Sequence, residues 1–363
     1  MKAAIISLGS ISSKMTATAM EKYFDSVDLI KIKEIEVQLG SPNSQTELLY
    51  QGEPLSKYDC VYVKGSFNYA TVAGAISGIL AKKAYCPIDE SAFTIVHDKT
   101  LSHIALQKAN IPTPQTYLSS TSEAAKAVLK NVTYPIILKF PKGTHGKGVM
   151  FADSYAAAAS ILDALVSLNQ PFLIQEYIET NGADVRAFVV GDEVIAAMKR
   201  KSAGEDKRSN THMGGTGESY ILDPKTRRLA IDTAKALKMD ICGVDILEGP
   251  KGGLVIEANA SPGLQGITKY TDVDVADKIA QYLYKKTTAF NEIKKGKIPS
   301  ATDIIAQEGV DTVTQSAQQV IMNIQFRGNR ILLPEMIAKI SKFEDEDEVT
   351  FDVSKHDIHI KKM

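Results

Sequence analysis

Residues 243–263 read GVDILEGPKGGLVIEANASPG. Two short apolar runs, Val244 to Leu247 and Leu254 to Ala258, flank a turn rich in glycine and proline, and that combination is the signature of a β-hairpin. Side chains alternate along a strand, so Glu257 and Asn259 face one side while Ile256 and Ala258 face the other. Asp245 on the partner strand can lie across from them. Two carboxylates and an amide oxygen on one wall are hard donors. They suit Mg²⁺, which takes one or two carboxylates together with waters and phosphate oxygens. An exposed hairpin with ordinary polar residues would show the same spacing, so the rest of the chain has to decide.

Upstream, Asp223 to Leu237 has the apolar spacing of a helix, and it follows a polar, glycine-rich stretch from Lys201 to Gly217 that contains Arg208-Ser209-Asn210. Such a stretch is too long for a plain connector in a compact domain unless it serves a site. Before it, Asp184 to Val190 and Glu193 to Met198 are strands joined by the two-residue turn Gly191-Asp192. Asp184, Arg186 and Phe188 share one face of the first strand, and Met198 and Arg200 share one face of the second. Arg186 and Arg200 are candidates to grip a carboxylate or phosphate with both arms of the guanidinium, or to form cross-strand ion pairs.

Farther upstream, Phe172 to Ile178 is a strand containing Gln175-Glu176-Tyr177, and Ile136 to Phe140 is an apolar strand that carries Lys139. A lysine there calls for an anion such as phosphate, or else snorkels from an edge strand. The loop PKGTHGKG follows, with Gly143 and Gly146 free of steric restriction and lysines on either side. It is either a flap over a nucleotide or a hairpin loop. It is not a Walker A motif, because no Ser or Thr follows Gly-Lys and a strand, not a helix, comes next. Asp98 caps a helix through Lys108, ended by Ile111-Pro112-Thr113-Pro114, and Ser122 to Leu129 is a second helix.

The first 90 or so residues alternate strands (Lys2 to Leu8, Leu29 to Ile32, Cys60 to Val63) with helices (Ser13 to Phe24, Val72 to Lys82), which predicts a parallel sheet. Among 363 residues, 42 basic and 43 acidic side chains leave a net charge of −1, so no global field argues for nucleic acid or a membrane surface. Three cysteines without metal-type spacing fit a reduced compartment, and no apolar run approaches the length of a membrane span, so the protein is expected in the cytoplasm.

The order of these parts is lysine strand, glycine flap, Gln-Glu-Tyr-Ile, Asp-Val-Arg, Arg-Ser-Asn, Gly-Val-Asp-Ile and Glu-Ala-Asn-Ala-Ser-Pro-Gly. From about residue 95 to 285 it resembles the ATP-grasp superfamily, and within it the RimK-like α-L-glutamate ligases that modify a ribosomal protein. The resemblance implies an α/β fold of the α+β ATP-grasp kind: a parallel N-terminal domain over residues 1–94, a two-part ATP-grasp core over 95–287, a linker over 288–319 and a small β-rich domain over 320–363. It implies that Lys99 and Lys139 contact ATP phosphates, with Gly143 and Gly146 in the flap above them. Glu176 and Tyr177 would read adenine through their backbone, and Asp184 would join the nucleotide site. Arg208, Ser209 and Asn210 would line the place where the phosphates meet the activated carboxylate, with Arg186 and Arg200 as further catalytic candidates. Asp245, Glu257 and Asn259 would hold Mg²⁺, two ions in all, with Mn²⁺ able to substitute.

After a helix from Val275 to about Tyr284 the chain turns basic and polar, and the last segment departs from the ligase pattern. Its strand at Met322 to Phe326, Gly-Asn turn, Leu-Pro helix start ending near Ser341, acidic turn Glu344 to Glu348 and final strands (Val349 to Val353, His356 to Ile360) are similar to the swapped-hairpin domains of AbrB-type regulators. That likeness implies a homo-oligomer, dimer or tetramer. DNA binding is the weaker expectation, since the acidic cluster sits beside few basic residues. His145 and His212 fall near the expected site without an assigned role, and His356 and His359 face opposite sides of a strand. The function implied is a ligase that adds an amino acid, glutamate by resemblance, to a carboxylate on a protein C-terminus or small molecule. The alternatives are a glutamyl ligase for a cofactor or carrier protein, a dipeptide-type ligase, and an ATP-sensing DNA-binding regulator.

Overall fold

Near-continuous apolar runs form strands covered on both faces, and the chain opens with one: KAAIIS (β1, Lys2–Ser7), buried from Ala3 onward. Helix α1 (Ile11–Met20) follows, capped by the Ser10 hydroxyl, which accepts from the Ser13 N–H, and leads to β2 (Ser26–Lys31). Three short strands, β3 (Ile35–Gln38), β4 (Glu47–Tyr50) and β5 (Glu53–Pro54), make an antiparallel excursion. The chain returns through β6 (Cys60–Val63), so that β1 pairs in parallel with both β2 and β6. Helices α2 (Ala70–Leu80) and α3 (Glu90–Val96) complete this part. The computed structural model describes residues 1–40, 46–141, 148–166, 171–201, 216–295, 325–327, 330–332, 349–354 and 357–362.

Helix α4 (Lys99–Lys108) starts at Asp98, whose Oδ1 accepts from the N–H groups of Thr100 and Leu101 at 2.9 and 3.2 Å. Then come β7 (Thr116–Ser119), α5 (Ser122–Leu129), β8 (Ile136–Lys139), β9 (Val149–Ala152), α6 (Tyr155–Val166) and β10 (Phe172–Glu176). These strands form an antiparallel sheet in the order β7-β10-β8-β9. The sheet has an apolar cluster of its own, built on Leu129, Ile136, Leu138, Phe172 and Ile174.

The second antiparallel sheet is larger. It uses β11 (Ala183–Val190), β12 (Glu193–Lys201), β13 (Thr216–Ser219), β14 (Ile241–Gly249) and β15 (Gly252–Asn259), in the order β13-β12-β11-β14-β15, with α7 (Pro224–Ala236) between β13 and β14. The opening hairpin is longer than its apolar runs predict: the strands meet at a two-residue turn, Pro250-Lys251. Gly252, at φ +116°, supplies the backbone conformation that lets the glycine-rich stretch pair instead of looping out.

Helix α8 (Leu264–Tyr270) and helix α9 (Val275–Lys294) close this unit. α9 runs ten residues beyond its expected end at Tyr284. Leu283 and Thr287 continue one buried face, Asn291 Nδ2 donates to Asp59 Oδ1 at 3.0 Å, and the basic residues read as a linker occupy the outer side of the same helix. Contacts divide the chain into Met1–Ser300 and Ala301–Met363. In the second unit β16 (Gln325–Arg327) pairs with β17 (Arg330–Leu332), and β18 (Val349–Ser354) pairs with β19 (Asp357–Lys362), which carries His359. The helix expected to end near Ser341, the turn Glu344 to Glu348, and His356 lie outside the described residues. Among the described residues no helix is long and apolar enough to cross a membrane.

The Gly191 turn ties β11 and β12 to α9. Gly191 adopts φ +63°, its N–H donates to the Asp240 carbonyl at 2.7 Å, and a Cβ there would collide with the Tyr282 ring. Gly191→Ala is expected to lower stability by about 2 kcal/mol, read as a fall in the chemical-denaturation midpoint.

Candidate active site

Strands β11, β12 and β14 are neighbours inside the five-stranded sheet, and their registers place charged residues opposite one another. Asp184 faces Arg200, Arg186 faces Asp245, Asp245 faces Glu257, and Gly243 faces Asn259. Arg186 grips Asp245 with both arms, Nε to Oδ1 at 2.7 Å and Nη2 to Oδ2 at 2.6 Å. Arg200 donates through Nε to Asp184 Oδ1 at 3.0 Å and through Nη2 to Asp184 Oδ2, and the same Nη2 lies 3.0 Å from Asp245 Oδ2. Of the two readings left open for these arginines, the cross-strand ion pair is the one formed here.

The ion pairs matter because they are buried: Asp184, Asp245 and Arg200 are 2%, 5% and 6% exposed. Burial by itself pushes the Asp245 carboxyl up, but Arg186 and Arg200 outweigh it and hold Asp245 well below the usual carboxylate range. Glu257 goes the other way. Burial and the Asp245 charge across the strand raise its carboxyl, against the pull of Lys99, Arg186 and Lys139. The Nδ2 of Asn259 is buried without a partner among the described residues.

Lys139 lies on β8, an inner strand, so the snorkelling alternative falls. Its Nζ donates to Gln175 Oε1 at 2.8 Å. Gln175 Nε2 in turn donates to Thr116 Oγ1 at 2.6 Å and lies 3.2 Å from His103 Nε2. Burial, with help from Lys99, lowers the Lys139 ammonium to about 8, while burial and Lys139 lower His103 to about 4. A neutral His103 can accept from Gln175 Nε2, which turns the amide oxygen toward Lys139. His103 and Thr116 carry no motif in the sequence. Their link to Lys139 depends on the register that sets Gln175 beside it.

Lys99 is the first residue of α4, and its N–H donates to the Pro141 carbonyl at 3.0 Å. Its charge acts on both Lys139 of one sheet and Glu257 of the other. Glu176 ends β10, accepting at Oε1 from the Gln115 N–H at 2.8 Å, and the Tyr177 ring meets Phe151 edge-on with centroids 5.3 Å apart. Gly143, Gly146, Arg208, Ser209 and Asn210, together with His145 and His212, lie outside the described residues.

Among the described residues no group of three or more His, Cys, Asp or Glu side chains is arranged for a metal. The set Asp245, Glu257 and Asn259 offers two carboxylates and an amide instead. It fits a hard divalent cation: a raised glutamate facing an ionised aspartate is the arrangement a cation between them relieves. Because the folded-state Glu257 carboxyl lies above its ordinary value of 4.5, its ionisation costs stability as pH rises through and above that value. Glu257→Gln is therefore expected to raise the melting temperature of the ligand-free protein at pH 7, with the gain shrinking as pH falls to about 4. Thermal melts across pH check this.

Residues 96–283 match the RimK-like ATP-grasp domain. A probable alpha-L-glutamate ligase of Vibrio atlanticus is 36% identical over 275 residues, covering 75% of this chain and 90% of that protein. A probable alpha-L-glutamate ligase 2 of Pseudoalteromonas atlantica is 36% identical over 302 residues, 82% of this chain and 100% of that protein. Among solved structures, the ATP-grasp ligase PsnB complexed with minimal precursor has a TM-score of 0.61 at 18% identity, covering 78% of this chain and 98% of that one. A RimK domain ATP-grasp protein from Sphaerobacter thermophilus has a TM-score of 0.60 at 21% identity, covering 78% and 99%. The fold is that of the ATP-grasp proteins, and the chain belongs to the RimK-like ATP-grasp family of ligases that form carbon–nitrogen bonds.

Proposed function

We propose that the protein is a Mg²⁺-ATP-dependent ligase that joins glutamate to a carboxylate at a protein C-terminus or on a small molecule. The observation that carries this reading is the in-register pairing of Asp245 with Glu257 beside Lys99 and Lys139. Oxygen donors and ammonium groups there converge as a polyphosphate and its cation require. The relatives named probable alpha-L-glutamate ligases support the choice of glutamate.

In the proposed reaction the acceptor carboxylate oxygen attacks the γ-phosphorus of ATP and ADP leaves. The glutamate amine then attacks the acyl carbon, loses a proton, and expels phosphate. Lys99 and Lys139 hold the phosphates; the Glu176 and Tyr177 backbone reads the base; Asp184, fixed by Arg200, borders the nucleotide. By the resemblance, Gly143 and Gly146 would belong to a flap over it, and Arg208, Ser209 and Asn210 would meet the transferred group. Arg186 and Arg200 keep Asp245 ionised at any physiological pH. Asp245, Glu257 and Asn259 would hold Mg²⁺, two ions with Mn²⁺ able to substitute, and the metal when bound neutralises charge on the transferred phosphoryl group.

The Ala301–Met363 unit would be an AbrB-like oligomerisation module, dimer or tetramer; its two hairpins fit that reading, and the acidic cluster in its sequence disfavours a DNA reader. The free thiols of Cys60, Cys86 and Cys242 support a cytoplasmic setting.

ADP release is expected from purified protein with Mg²⁺-ATP, glutamate and an acceptor supplied as cell extract, and not when glutamate is omitted. Glu257→Ala is expected to reduce it by roughly two or more orders of magnitude, since it removes charge neutralisation at the transferred group. ATP binding with no amino-acid-dependent turnover would sink the reading.

A further inference from the structure

Strand β6 ends at Val63, and Lys64 follows, 4% exposed. The one hydrogen-bond partner of its Nζ among the described residues is the Tyr62 hydroxyl, at a long 3.5 Å, and the ammonium lies 4.9 Å from the centroid of the same ring. Burial draws its titration down to about 8, and among the described residues no neighbouring carboxylate pulls it back. The other buried cations differ: Arg200 has two aspartates and Lys139 has the Gln175 amide oxygen at 2.8 Å. An ammonium carries three donors, and burying it with one weak acceptor is costly.

The position of Lys64 explains why such a charge is kept. It stands at the carboxyl end of a parallel sheet, the edge at which open α/β sheets bind ligands. The next residue, Gly65, donates its N–H to Ser261 Oγ at 3.0 Å, two residues beyond Asn259. Leu264 N–H donates to Ser12 Oγ at 2.9 Å, and the Phe67 ring meets His97, two residues before Lys99, edge-on at 6.4 Å between centroids. Lys64 therefore sits where the N-terminal sheet abuts the segment that leaves the catalytic hairpin.

We infer that Lys64 reads a substrate carboxylate other than the one activated, from either the incoming amino acid or the acceptor's acidic end. The inference rests on the glutamate-ligase reading, whose substrates carry more carboxylates than the reaction consumes. A buried ammonium with no carboxylate partner among the described residues discriminates sharply, because an amide analogue leaves its charge uncompensated.

The test compares full-length wild type, Lys64→Met and Lys64→Arg by calorimetric titration in Mg²⁺ and a non-hydrolysable ATP analogue. The probes are L-glutamate and a Glu-Glu dipeptide, each alongside its α-carboxamide and side-chain amide. Lys64→Met should bind the nucleotide as wild type does and bind one probe roughly tenfold or more weakly, with Lys64→Arg in between. The probe that loses affinity identifies the source, and the amide that wild type rejects identifies the carboxylate. The ligand-free Met variant should also melt at or above wild type, because an uncompensated charge is gone. Unchanged affinity of Lys64→Met for every probe that wild type binds overturns the proposal, as does a Met variant that melts well below wild type. If wild type binds neither probe, the glutamate reading fails and the inference that rests on it falls with it.

Discussion

Two aspartates and two arginines taken out of water inside one sheet cost several kcal/mol per ion before any attraction is counted. The register of β11, β12 and β14 offsets that cost by setting Arg200 against Asp184 and Arg186 against Asp245, with Arg200 bridging both acids. A slip of one residue in either pairing would turn one partner to the opposite face and strand the other, so the register is strongly specified. The two-residue turn at Gly191-Asp192 joins β11 to β12 directly, and the one at Pro250-Lys251 joins β14 to β15. The β11–β12 pairing is irregular after Phe188 and the β14–β15 pairing after Asp245, while the β11–β14 register that sets Arg186 against Asp245 is unbroken.

The same arrangement leaves the site electrostatically unfinished. Asp245 is over-supplied with positive charge and stays ionised, while Glu257 across the strand is held up by burial and by that ionised neighbour. Lys139 is drawn down by burial although an amide oxygen faces it. Asn259 keeps a buried N–H group without a partner among the described residues. The shifts at Glu257 and Lys139 have the signs that a divalent cation and a polyphosphate, respectively, would correct. Perturbed groups gathered in one place are better explained by binding than by folding, because folding alone would have favoured neutral replacements.

Much of this was legible in residue order. Alternation along the strands was enough to put Glu257, Asn259 and Asp245 on one wall, and Asp98 and Asp223 marked helix starts that the caps confirm. What local pattern could not show was which cation each carboxylate would take. Arg186 and Arg200 have guanidinium groups suited equally to phosphate, substrate or aspartate, and only the cross-strand register decides. The strands β3 to β5 escaped notice because glutamate and glutamine interrupt their apolar residues, and the second half of α9 because its surface lysines dominate a stretch whose buried face is sparse. Gln175 and His103 act through Lys139, a tertiary relation with no sequence signature.

The apolar core is divided in a way that bears on how a ligand would be held. One cluster runs from Ala3 to Leu283 and joins the N-terminal parallel sheet to the five-stranded sheet; a second, built on residues such as Leu129, Ile136 and Phe172, belongs to the sheet that carries Lys139 and Glu176. The carboxylates, both arginines and Lys64 thus share one packed body, and Lys139 rides on another. A nucleotide gripped by Lys139 and Lys99 and facing Glu257 would bridge the two, whereas a carboxylate at Lys64 would be fixed relative to Glu257 and Asn259 throughout. Anchoring against one packed core is what reacting groups need if they are to meet at bonding distance.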